Sequence, residues 1–90
     1  MRKKLWPRVI LDARLQSEYD EGHIPGAILI PYDKIADRAE KELPGKNQLI
    51  LVYCRSGRRS KNAAEELVKL GYTNIKEFGG IIDWKYEIVK

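Results

Sequence analysis

In the stretch Val52-Tyr53-Cys54-Arg55-Ser56-Gly57-Arg58-Arg59-Ser60, the only cysteine of the chain is followed by three arginines within five residues. A thiol acts as a nucleophile in its thiolate form, and nearby positive charge favours that form. Gly57 allows a tight turn, so that backbone N–H groups from Arg55 to Ser60 can converge on an anion at the centre of the loop. A helix beginning near Arg59 or Ser60 aims its positive end at the same point. Cys54 is therefore a candidate nucleophile, and Arg55, Ser56, Gly57, Arg58, Arg59 and Ser60 form a candidate anion-binding loop. A lone free cysteine is most often a small buried hydrophobe. Its place here, after an apolar run and before a basic turn containing glycine, favours the nucleophile.

Other residues able to do chemistry are few. His23 is the only histidine and so the only side chain with an unperturbed pKa near neutrality. Asp12, at the end of an apolar run, could orient the cysteine loop or tune Cys54. Arg14 and Glu18 stand four residues apart and are expected to pair with each other and fix a turn, outside the site. Trp84 and Tyr86 read as core and surface, and Glu18 to Glu21 as a solvated face.

The elements that must position Cys54 follow from periodicity. Val9-Ile10-Leu11 is a short β-branched run and reads as a buried strand. Ser17 reads as the N-cap of a single acidic turn that Gly22 stops, and His23-Ile24-Pro25-Gly26 as a loop. Ala27 to Ile30 is a second apolar run, closed by Pro31. From Asp33, the residues Ile35, Ala39 and Leu43 recur every four positions, which predicts an amphipathic helix ended by Pro44-Gly45. Leu49 to Tyr53 is the longest apolar run and is expected to be a central strand covered on both faces. Ala63, Ala64, Leu67, Val68 and Leu70 form one face of the helix after Cys54, which Gly71 ends. Ile75 to Phe78 is a fourth strand, Gly79-Gly80 a tight loop, and Ile81 to Val89 a last helix carrying Trp84. Strands alternating with helices predict a parallel sheet with helices on both faces. Cys54 then lies at the carboxyl end of the central strand, where ligands of open α/β sheets bind.

Composition narrows the function classes. One cysteine excludes an internal disulfide and a zinc site built on several thiolates. Seventeen basic and thirteen acidic residues give a net charge of +4, which favours anionic ligands. Glu18, Asp20, Glu21, Glu40 and Glu42 break up the basic excess, and only Arg55 to Lys61 is locally dense, so nucleic acid is not expected as a partner. No apolar stretch approaches the ~20 residues of a membrane span. The basic start from Met1 to Pro7 lacks a following apolar segment, so a cytoplasmic location is expected, or a periplasmic one if a signal peptide has been removed.

Four motifs, in order, carry a resemblance to a known family. "ILDAR", "EYDEGHIPGAILIP", "VYCRSGRRS" and "LVKLGYTNIKEFGG" followed by Trp84 together resemble a single-domain rhodanese, a sulfurtransferase, from about Val9 to Trp84. The short start, with eight residues ahead of Val9, resembles the family's small phage-shock members. The resemblance implies one domain over residues 1–90, a three-layer α/β/α fold around a parallel sheet of four to five strands, and an uncovered sheet edge at Ile75 to Phe78 unless Lys3 to Trp6 or a second chain covers it. It implies that Cys54 carries sulfur from a donor such as thiosulfate to a thiol or cyanide acceptor, with no cofactor or metal. The N–H groups of Arg55 to Ser60 would hold the persulfide, and Arg58 or Arg59 the departing sulfonate. The family motif gives His23 a loop-stabilising role.

Three other functions use the same loop. A cell-cycle-type phosphatase needs an arginine six residues after the cysteine, where this chain has Ser60, and a histidine before it, where this chain has Tyr53. Arsenate reduction is a weaker alternative of the same chemical type. A persulfide-carrying or regulatory module would keep the loop without multiple turnover, and the oligomeric state is left open.

Overall fold

Successive side chains of a strand alternate between the faces of a sheet, so a strand covered on both sides needs apolar residues at nearly every position. Leu49–Cys54 meets that demand, and in the computed structural model, which describes residues 8–90, it forms the inner strand β3. The other elements, in chain order, are β1 (Arg8–Asp12), α1 (Gln16–Glu21), β2 (Ile28–Leu29), α2 (Ile35–Glu42), α3 (Arg58–Lys69) and β4 (Ile75–Gly80). The sheet has four strands in the order β2-β1-β3-β4, and every pairing is parallel.

The pleat separates two apolar clusters. On one face Leu11, Ile50 and Val52 meet Ile35, Ala39 and Leu43 around α2 and Ala63 and Leu67 of α3. On the other, Tyr53 packs with Ile24 and Ala27, joined by Ile10, Tyr19, Ile81 and Trp84. Each fully buried leucine or isoleucine contributes roughly 1.5 to 3 kcal/mol relative to exposure, so the first cluster is the main source of stability. This is the layered α/β architecture expected from the sequence.

Four local expectations are corrected. Ile81 to Val89 is not a helix: after a short 3-10 turn, Ile81–Asp83, Trp84 is extended. The segment ends in an isolated antiparallel bridge in which His23 N–H donates to Val89 O at 2.7 Å and Val89 N–H to His23 O at 2.8 Å. Ile88 and Val89 are β-branched and favour extended backbone, and Ile81 and Trp84 pack against the second apolar cluster. Gly79-Gly80 is not a loop but the end of β4, where Gly80 pairs with Cys54 across a register shift between Val52 and Cys54. The N-cap of α1 is Leu15 rather than Ser17, because the Glu18 carboxylate reaches back to accept the Leu15 N–H at 3.0 Å. A 3-10 turn, Tyr32–Lys34, precedes α2, which therefore starts at Ile35 rather than Asp33.

Among the described residues β4 is an edge strand, as expected. The suggested cover by Lys3 to Trp6 lies outside the described residues.

Candidate functional site

Cys54 is the last residue of β3 and is only 1% exposed. The chain turns over Arg55 and Ser56 and reaches Gly57, whose φ of +104° lies in the left-handed region that favours glycine. That turn brings the Gly57 N–H to 2.9 Å from the Cys54 sulfur. α3 starts at Arg58 with no side-chain cap at its N-terminus. Its first turn therefore keeps N–H dipole aimed toward the sulfur. Burial alone would push the Cys54 thiol up, but hydrogen bonding from the Ser60 hydroxyl and from the N–H groups of Ser60, Gly57 and Ser56 reverses this, and the pKa falls below that of an ordinary cysteine.

Two close backbone approaches fix the loop. A Cβ on Gly80 would overlap the Arg55 carbonyl and Ser56 Cα, so only glycine lets β4 pass under the loop. The Arg55 carbonyl also accepts the Ile82 N–H at 3.2 Å. Ser60 is fully buried, and its hydroxyl lies 2.6 Å from Glu77 Oε2 and 3.0 Å from the Gly57 carbonyl. Glu77 Oε2 also accepts the Gly79 N–H at 2.7 Å. Glu77 escaped the sequence reading, although a signal was present: Ile75 packs on the main core, and a carboxylate two residues later falls on that same strand face.

The charged residues pair differently from the sequence expectation. Arg14 does not meet Glu18 but turns inward to Asp12, which is fully buried: Arg14 Nε lies 3.0 Å from Asp12 Oδ1 and Arg14 Nη2 2.7 Å from Oδ2. Asp12 Oδ2 also accepts the Tyr53 hydroxyl at 2.7 Å, and Tyr53 in turn accepts the Ile24 N–H at 3.1 Å. Arg14 Nη2 reaches the Gly22 carbonyl at 2.6 Å. Burial opposes the Arg14 charge, yet the hydrogen bond and attraction from Asp12 raise its pKa. Burial and the bond to Asp12 raise the Tyr53 phenol. Asp12 thus ties β1 and β3 to the Gly22–Ile24 loop, and its observed contacts are to Arg14 and Tyr53.

Glu18 instead takes Arg59 in a two-point pair, with Nη1 at 2.8 Å and Nη2 at 2.9 Å. That hydrogen bond is the main reason the Glu18 carboxyl is lowered to about 2, against partial burial and with help from the Leu15 N–H. The guanidinium lies over the Tyr32 ring, 5.9 Å from its centroid. Both Nη groups of Arg59 are therefore engaged, which leaves it a brace between α1 and α3 rather than an open anion clamp. Arg58 is exposed and lines a groove with Ser56, Gly57, Lys61 and Glu77. Arg55, also exposed, lies on the other flank with Trp84 and Tyr86. His23 stacks on Tyr19 at 3.7 Å between centroids and its Nδ1 lies 2.9 Å from Tyr19 O, which fits a loop-holding role.

The geometry can hold a sulfur-centred anion on Cys54 beneath a ring of N–H groups, with cations only at the rim. Comparison with known proteins identifies the family. The model of the Rhodanese-like domain matches residues 1–87. The chain is 38% identical over 73 residues to the thiosulfate sulfurtransferase PspE of Escherichia coli, covering 81% of this chain and 70% of that one. It is 42% identical over 76 residues to the putative sulfur carrier protein YrkF of Bacillus subtilis, but spans only 40% of its length. Among solved structures, a rhodanese with anions from E. coli superimposes with a TM-score of 0.86 at 36% identity, covering 92% of this chain and 98% of that one.

Proposed function

This chain belongs to the rhodanese-like domain family, and on that premise we propose that it is a sulfurtransferase that moves a sulfane sulfur through a persulfide on Cys54. The observation that carries the proposal is the 2.9 Å contact between the Gly57 N–H and the Cys54 sulfur at the carboxyl end of β3. In the first step the Cys54 thiolate attacks the outer sulfur of thiosulfate. The S–S bond of the donor breaks, sulfite leaves with the bonding pair, and Cys54 becomes a persulfide anion. In the second, an acceptor thiolate or cyanide attacks the terminal sulfur and the Cys54 thiolate departs, ready for another cycle. No net oxidation occurs at the protein.

The N–H groups of Gly57 and Ser60 favour a single anionic sulfur. A tetrahedral phosphate needs a wider ring and a free arginine, and Arg59 is committed to Glu18. A hydrolytic phosphatase is thereby disfavoured. Arg58, beside Lys61 in the groove next to the loop, is the candidate group for the sulfonate oxygens.

The likeness to a putative sulfur carrier favours one second reading, in which the persulfide is passed to a partner protein without turnover of a small donor. Steady-state assays with thiosulfate and cyanide separate the two. Multiple turnovers that vanish in Cys54→Ser support the enzyme. A single equivalent of sulfur per chain, delivered only to a protein thiol, supports the carrier. Rapid hydrolysis of p-nitrophenyl phosphate would overturn both.

A further inference from the structure

We propose that Glu77 is a positioning residue for the transfer, whose carboxylate fixes an irregularity of β4 on which the Cys54 loop rests and so keeps the Gly57 N–H on the sulfur. The inference deepens the proposed function and rests on Cys54 as its nucleophile. Val52 pairs with Glu77 and Cys54 with Gly80, so one residue of β3, Tyr53, faces two of β4, Phe78 and Gly79. An extra residue of this kind bends its strand and interrupts the ladder. Here the Gly79 N–H turns to a side chain of its own strand, donating to Glu77 Oε2 at 2.7 Å, and Gly79 takes left-handed backbone with φ +101°.

The displaced backbone is the floor of the loop. Gly79 Cα lies 3.4 Å from where a Cβ of Gly57 would stand, and Gly80 passes under Arg55 and Ser56 with no room for a side chain. The same Oε2 reaches across to α3, where fully buried Ser60 donates its hydroxyl at 2.6 Å. The Gly57 carbonyl at 3.0 Å and the Gly79 carbonyl at 3.4 Å are the neutral alternatives for that one proton. A charged oxygen at the shorter distance is the stronger acceptor. One carboxylate oxygen thus ties the extra residue of β4 to the first turn of α3, on either side of Gly57. Between these ties the Gly57 N–H lies 2.9 Å from the Cys54 sulfur. Without the carboxylate, the hydroxyl can turn to the Gly57 carbonyl, which closes α3 on itself and leaves β4 untied. Glu77 acts through the loop, since its hydrogen bonds go to Ser60 and Gly79.

The test is iodoacetamide alkylation of Cys54 followed against pH in the parent, Glu77→Gln and Glu77→Ala. The two effects of Glu77 on the thiol have opposite signs. Removing its negative charge favours the thiolate and would lower the midpoint in both variants. Releasing the loop withdraws a donor from the sulfur and raises the midpoint. The glutamine amide oxygen can accept from both Gly79 and Ser60, so Glu77→Gln is expected to titrate at or slightly below the parent. Glu77→Ala is expected to titrate above the parent by about 0.4 to 1 pH unit, the size of one hydrogen bond. The charges around the loop are Arg58, Lys61 and Glu65 across the groove, Lys69 farther along α3, Arg55 on the other flank and the Arg59–Glu18 pair. All are common to the three proteins. An alanine midpoint at or below that of the parent, or an equal rise in Glu77→Gln, would overturn the proposal. Should Glu77→Ala fail to fold, Glu77→Met keeps the volume without the acceptor and takes its place. The readout is the thiol itself, so a failure of transfer from thiosulfate would remove the functional reading and leave this result standing.

Discussion

The sulfur of Cys54 is surrounded by donors and shielded from water, and the donors prevail: its pKa is lowered although burial alone would raise it. The alkylation midpoint of the parent protein is therefore expected below the ~8.5 of an ordinary cysteine. A pH series of alkylation rates checks this, and a midpoint at or above that of a model thiol would contradict it. Glu18 supplies a second titration. Its folded pKa of about 2 lies below the ~4.3 of an unfolded chain. Its contribution to stability is thus complete above the unfolded value and is lost as pH falls from about 4.5 toward 2. Urea unfolding at pH 6 and pH 3 should show the parent losing more stability than Glu18→Gln over that interval. Arg58 and Arg59, neighbours in sequence, should differ in kinetics. Arg58→Ala is expected to raise KM for thiosulfate by up to about tenfold with little change in kcat, discounted for its exposed rim position. Arg59→Ala should instead lower stability by freeing Glu18.

At the scale of elements, the site depends on how closely β4 passes the loop that leaves β3. Gly80→Ala is expected to displace Arg55 and Ser56 and to cut sulfur transfer by about a hundredfold, as a misplacement near 1 Å can. Gly57→Ala forces a side chain into left-handed backbone and should cost about 1 to 2 kcal/mol of stability. Turnover and thermal unfolding of the two variants check both expectations. The same elements show what could be read in advance. Leu49 to Tyr53 and Ala63 to Leu70 were legible because an uninterrupted apolar run and a helical repeat each require burial. Cys54 was legible because Gly57 and the basic run follow it. Three things were not: that Arg14 turns to Asp12, that Glu18 crosses to Arg59, and that Ile81 to Val89 is not a helix but a short 3-10 turn followed by irregular chain. Ion-pair partners depend on distances between elements far apart in sequence, and Glu18 meets Arg59 across 41 positions. The last segment has a helix-compatible apolar spacing, yet its shape is set by the tertiary bridge between Val89 and His23.

The whole molecule brings a modest positive charge to an anionic donor. The net charge is +4, and Arg58 and Lys61 stand in the groove beside the sulfur loop. KM for thiosulfate should therefore rise between low salt and about 0.5 M salt, while kcat stays nearly constant, because screening weakens approach and not the buried chemistry. No helix among the described residues is long and apolar enough to cross a membrane. The central claim is that Cys54 carries the sulfur between two half-reactions. Mass spectrometry of the intact protein after incubation with thiosulfate tests it most directly. A gain of one sulfur atom per chain is expected, located on the peptide that contains Cys54, absent in Cys54→Ser and lost on adding cyanide or a thiol. An unchanged mass under conditions that leave Cys54 reactive to iodoacetamide would contradict it.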